Sequence, residues 1–148
     1  AVIGTLSALA VPAYDKHVIR SKIASGLPFM EAVKKDMMAF YLENGKMPSR
    51  STDAEFSGGV VGEIVGWGTM DNQVFPNATT YFTGGPIGAV FAQFKNGIVP
   101  GQAFPTLGLV AYEVNGFITW ECKTYDGSGG GAAHSISSEH VPRGCEGV

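Results

Sequence analysis

With 148 residues the chain fits a single domain that can bury a respectable core. Ten Lys and Arg against 13 Asp and Glu leave a net charge of -3, and the basic residues are thinly spread, so no positive stripe advertises nucleic acid. Only 16% of residues are charged, 45% are apolar and 21 are glycine, a balance suited to strands, tight turns and surfaces that pack against copies of themselves.

The chain opens on AVIGTLSALAVPAY, a nearly uncharged run that meets DKHVIRSK abruptly. It reads as the remaining half of something longer, since an apolar helix needs roughly 20 residues to cross a bilayer core and this run is interrupted by Gly4 and Pro12. No basic leader precedes it and no Ala-x-Ala site sets off a separate mature domain, so a signal peptide does not fit. A buried first helix of an ordinary domain is the alternative.

Apolar side chains then recur at Ile19, Ile23, Leu27, Met30, Val33 or Met37, and Tyr41, the stripe of an amphipathic helix. Gly26 and Pro28 predict a bend inside it, because Pro removes a donor and crowds the preceding turn. Asn44-Gly45 tolerates the left-handed conformation of a helix terminus and Pro48 prevents resumption, so the helix should stop around Leu42 to Glu43.

From Lys46 to about Asn77 the chain is rich in Ser, Thr, Gly and Asp, with one apolar segment, Gly59 to Trp67, that fits a short strand or a partly helical loop equally well. Thr79 to Phe82, Ile87 to Phe94, Leu107 to Val114 and Phe117 to Lys123 carry the β-branched and aromatic content of strands, punctuated by Gly84-Gly85-Pro86, Asn96-Gly97 and Asn115-Gly116. The last pair supplies the two positive-φ positions of a type I′ turn, so AYEVNGFITWEC should fold back as a hairpin. A helix followed by strands predicts an α+β domain: a long kinked N-terminal helix whose stripe covers one face of a roughly four-stranded antiparallel sheet. That order argues against a βαβ cofactor fold.

Cys122 and Cys145 flank KTYDGSGGGAAHSISSEHVPRG, a segment in need of a constraint. A disulfide closing a loop of about 24 residues would supply one, worth roughly 3 to 4 kcal/mol, and would place the chain in an oxidising compartment. The rival is a metal site of the two thiols with His134 and His140, which the long spacing disfavours.

No catalytic constellation is present: there is no Gly-x-Ser-x-Gly elbow, no His-Glu-x-x-His and no phosphate loop, so neither an enzyme nor a cofactor is expected. His17 reads as a solvated or interface residue, His134 and His140 as exposed polar ones, and Gly129 to Gly131 as a flexible turn. Asn77-Ala78-Thr79 matches a glycosylation sequon that carries little weight.

The stretch AVIGTLSALAVPAYDKHVIRSK resembles the N-terminal helix of a type IV pilin, through Gly4, Pro12, Tyr14, Arg20 and Ser21 in that order. AVKKDMMAFYLENGKMPS at Ala32 to Ser49 continues the likeness, and at the other end ITWEC and VPRGC match the start and finish of the family's disulfide-bounded region. The chain is most similar to the type IVa class with its shorter head. Where that family begins with a methylated Phe and carries a Glu a few residues later, this chain begins at Ala1, so the resemblance implies that about ten residues of the full apolar helix precede it.

What the resemblance implies is a structural subunit of a bacterial surface filament used for adhesion and twitching motility, held in the inner membrane before assembly. Residues 1–43 would be the helix, 1–14 its filament-core or membrane part and 15–43 its amphipathic part, with 44–148 the head and 122–145 the disulfide-bounded region. Val2, Ile3, Leu6, Leu9 and Val11 would pack in the filament core, and Tyr14 would belong to the same core helix. Gly4 and Pro12 bracket a stretch whose helical hydrogen bonds are easiest to lose under load.

The segment from Lys46 to Asn77 and the loop from Cys122 to Cys145 would form the outer surface, with Tyr125, Ser128, His134, Ser135 and His140 as candidates for contact with host or abiotic surfaces or phage. A contact through His134 or His140 would change between roughly pH 5 and 7. The remaining implied partners are copies of the chain and the pilus assembly machinery of the inner membrane. The alternatives are a secretion-system pseudopilin, which the Cys pair disfavours, and a minor pilin binding DNA in natural transformation, for which Lys95, Lys123 and Arg143 are scattered hints.

Overall fold

The computed structural model describes residues 15–71, 85–124 and 136–145. Helix begins these residues and runs, with one break at Ser25 and Gly26, as α1 (residues 15–24) and α2 (Leu27–Asn44). The bend falls where Gly26 and Pro28 predict it. Pro28 sits in the first turn of α2, where its missing N–H costs no intrahelical bond. Gly26 is required by close approach, since a Cβ there would stand 2.8 Å from Phe94 Cζ and 3.2 Å from Ile64 Cδ1. The helix continues slightly past the expected stop, to Asn44. Gly45 takes the left-handed conformation (φ 71°) and donates its N–H to the Tyr41 carbonyl at 2.8 Å.

The sheet is a five-stranded antiparallel meander, β1 (Ser57–Gly58), β2 (Ile64–Asp71), β3 (Gly88–Phe94), β4 (Thr106–Val114) and β5 (Phe117–Thr124), in spatial order β1-β2-β3-β4-β5. Three of the four expected strands correspond to β3, β4 and β5, while Thr79 to Phe82 lies outside the described residues. The ambiguous segment Gly59 to Trp67 resolves into a loop followed by the start of β2. Gly66 and Gly68 dilute the strand signal there, but Phe91 and Arg50 fill the space over Gly68, where a Cβ would meet them at 3.2 and 2.9 Å. At the β4–β5 hairpin Val114 pairs with Phe117 across Asn115 (φ 53°) and Gly116 (φ 81°), the two positive angles of the expected turn.

Strand alternation sends Val90, Ala92, Phe94, Leu107, Leu109 and Ala111 toward Ile23 of α1 and Met30, Val33 and Met37 of α2, and these form the main core. Phe40 meets Phe56 edge-on at 5.4 Å and closes the segment before β1 onto the helix, and Phe29 meets Trp67 of β2 edge-on at 5.1 Å. On the opposite face, Met70, Ala89, Phe91, Val110 and Tyr112 make a second buried cluster. The Arg50 guanidinium lies 4.8 Å above the Phe91 ring and Lys123 Nζ 4.7 Å above Tyr112.

Candidate functional site

Ile118, Trp120 and Cys122 alternate along β5 toward the main core, so Cys122 starts the bounded region from a half-buried position under the helix face. It is joined to Cys145 with the two Cα atoms 4.5 Å apart. The disulfide consumes both thiols, and among the described residues no group of three or more His, Cys, Asp and Glu could hold a metal ion.

Residues 136–145 form two successive turns. The first closes as His140 N donates to Ser137 O at 2.9 Å, the second as Cys145 N donates to Pro142 O at 3.1 Å. Ile136, Val141 and Cys145 drop from these turns into the main core. Glu139 points the other way and reaches α1: its carboxylate lies 2.8 Å from Lys16 Nζ, and its backbone carbonyl accepts a 2.9 Å hydrogen bond from Arg20 Nη2. The Lys16 ammonium, by hydrogen bond and by charge, holds the Glu139 carboxyl below the usual range. Lys16 and Arg20 lie one helical turn apart, so both face the same short loop. The C-terminal segment is thereby tied at one end to the sheet by a covalent bond and along its middle to α1 by polar contacts.

His140 is the correction in this region. Read from sequence as an exposed candidate for surface contact, it is only 9% exposed and packs inward, with Nδ1 2.8 Å from Ser137 Oγ and Nε2 3.9 Å from Glu139 Oε1. It holds the turn rather than presenting itself to a partner, because Val141 must follow it into the core. The exposed residues of the segment are Ser137, Ser138, Glu139, Arg143 and Gly144. Tyr125, Ser128, His134 and Ser135, like Val2, Ile3, Gly4, Leu6, Leu9, Val11, Pro12 and Tyr14, lie outside the described residues.

The clamp of Lys16 and Arg20 on Glu139 was not legible in the sequence. Arg20 and Glu139 are 119 positions apart, and nothing local marks the pairing. The three basic residues considered for DNA do not act together: Lys95 lies 3.8 Å from Glu63 and Lys123 lies 3.1 Å from Glu121, while Arg143 is exposed on the C-terminal segment. Partial burial pulls the Lys123 pKa down, but hydrogen bonds with Tyr112 and Glu121 together outweigh it and the net shift is upward.

At the far end of α2 an open pocket of about 240 Å³ lies among Tyr41, Gly45, Lys46, Met47, Asp71, Ile87 and Glu113. Among the described residues no helix is long and apolar enough to cross a membrane. Farther along, Asp53 ties the chain after α2 into a turn: it accepts from Ser49 N at 3.1 Å and Thr52 Oγ1 at 2.7 Å, and these two donors lower its pKa.

Comparison with known proteins matches residues 19–146 to the pilin family of bacterial filaments. The chain is 27% identical over 125 residues to the fimbrial protein EcpC of Eikenella corrodens, covering 84% of this chain and 74% of that protein. It is 26% identical over 152 aligned positions to the type IV major pilin protein PilE1 of Neisseria gonorrhoeae, covering 98% and 86%. A shorter match, 33% over 54 residues, links 36% of it to a fimbrial protein of Neisseria meningitidis, 32% of which is covered.

Proposed function

Because this chain belongs to the type IV pilin family, as a non-enzymatic structural subunit, we propose that it polymerises through its N-terminal helix into a helical surface filament that serves adhesion and twitching motility. The observation that carries this reading is the junction at α1. A helix anchored to the head by Ile23, by the Lys16 to Glu139 ion pair and by Arg20 is preceded in the chain by the apolar run of residues 1–14.

An apolar helix held in a membrane and the same helix packed among its copies are in equivalent environments, so assembly exchanges one burial for another. In this reading Val2, Ile3, Leu6, Leu9, Val11 and Tyr14 belong to the filament-core helix, and Gly4 and Pro12 bracket a stretch that lengthens under load. The head forms the shell, and the clamp on α1 transmits load from the core to it. Residues of the disulfide-bounded region, Tyr125, Ser128, His134 and Ser135 among them, face host or abiotic surfaces and phage. The unassembled subunit waits in the inner membrane for the assembly machinery.

Immunogold electron microscopy of filaments sheared from the native cells, with antibody against residues 46–148, tests the reading beside a strain lacking the gene. Dense label along filaments that vanish in that strain is the expected result. Filaments that persist unlabelled would assign the chain to a pseudopilin or minor-pilin role instead.

A further inference from the structure

Six large hydrophobic side chains are exposed among the described residues: Leu42, Val60, Val61, Phe104, Val114 and Phe117. Strand register and the pocket lining place all of them at one or other end of the head. Asp71 pairs with Gly88 and Gly88 with Ala111, so β2 ends, β3 begins and β4 ends at one pole, and the pocket brings the last turn of α2 there. Leu42 (79% exposed), Val114 and Phe117 (74%) belong to this pole. Ile64 pairs with Phe94, and both lie against Gly26, so β2 begins, β3 ends and α1 joins α2 at the other. Val60 (71% exposed) and Val61 precede β2 there, and Phe104 precedes β4.

The poles also differ in charge. Where α2 stops, Glu43 and Glu113 are exposed, and among the described residues that line the pocket Lys46 is the one cation. The last turn of α2 has no basic residue to offset its carbonyls, which adds the negative end of the helix dipole. Where α1 meets α2, Lys22 is exposed and forms no ion pair among the described residues, and Lys95 holds Glu63 only at 3.8 Å.

We propose that these poles are complementary surfaces that meet between successive copies of this chain, the apolar and acidic pole of one head receiving the apolar and basic pole of the next. The inference rests on the filament reading and names the head surface that reading leaves open. Apolar area at Phe117, Val114 and Leu42 covers Val60 and Val61 of the neighbouring copy, and the pocket beside Glu113 has room for one long basic side chain, which Lys22 supplies. Two unlike surfaces at opposite ends cannot close a two-fold dimer. Their contact is heterologous and extends as an open string, the symmetry a filament needs.

The test uses full-length protein in filaments of cells expressing Val60→Cys with Phe117→Cys, treated with a short bismaleimide. The native cysteines are joined in a disulfide and do not react. A ladder of covalent multimers well beyond the dimer, absent from either single variant, is expected. Filaments of the double variant that stay monomeric after treatment would overturn the pole-to-pole contact while leaving the filament reading intact, whereas absence of filaments from wild-type cells would sink that reading instead. Should the double variant fail to assemble, Phe117→Glu decides. It should cut filament yield at least roughly tenfold without moving the melting temperature of the full chain in detergent, and an unchanged yield would overturn the proposal.

Discussion

Helix α2 and the C-terminal segment 136–145 contribute to one buried cluster by different means. Over 18 residues of regular helix α2 brings Met30, Val33 and Met37 to the sheet, its backbone hydrogen bonds closed internally. The segment brings Ile136, Val141 and Cys145 from a chain of turns whose backbone satisfies few of its own groups, and a disulfide, a Lys16 to Glu139 ion pair and an Arg20 hydrogen bond hold it in place. A regular element can rely on burial alone, while an irregular one needs covalent and polar ties to stay on the same core. The contrast suits a filament subunit: the helix and sheet form a fixed scaffold, and the bounded segment can change its exposed residues without disturbing it.

Breaking the scaffold should cost most. Phe94 is completely buried between Gly26, Ile64 and the sheet, so Phe94→Ala should destabilise the head by about 3 to 5 kcal/mol, read by chemical denaturation. Removing the disulfide with Cys122→Ser and Cys145→Ser should cost about 3 kcal/mol. Its signature should be regional: hydrogen exchange should rise across residues 136–145 while the amides of α2 keep their protection. Equal loss of protection in both would mean that the segment and the helix form a single cooperative unit, and the comparison would collapse.

The smallest effect belongs to Glu139. Its folded carboxyl titrates below the ordinary range, so its contribution is fully present above the unfolded value and is lost as pH falls through the lowered one. The melting temperature of the wild-type chain should therefore drop faster on acidification than that of Glu139→Gln, with the two nearly equal at the acid end. Because the pair is exposed to solvent, added salt should narrow the difference at neutral pH.

How much of this was legible in the sequence follows from where the information lies. Local chemistry announced the bend at Gly26 and Pro28, the helix stop at Gly45 and the Asn115-Gly116 hairpin, because each depends on the backbone preferences of one or two residues. Strand β2 was ambiguous because Gly66 and Gly68 carry no strand propensity of their own, and the cover over Gly68 comes from Phe91 of the neighbouring strand. The inward turn of His140 was invisible for the same kind of reason. In a Ser-rich, polar stretch nothing local says that Val141 will be drawn into a core built mainly from residues more than 30 positions away, or that Arg20 will reach Glu139.

Helical reconstruction by electron cryo-microscopy of filaments sheared from the native cells tests the central claim most directly. The account predicts this head repeated along every filament, with residues 1–14 in a central helical bundle and residues 136–145 seated on α1. A reconstruction whose repeating subunit is a different chain, or in which residues 1–14 lie outside the central bundle, would contradict it.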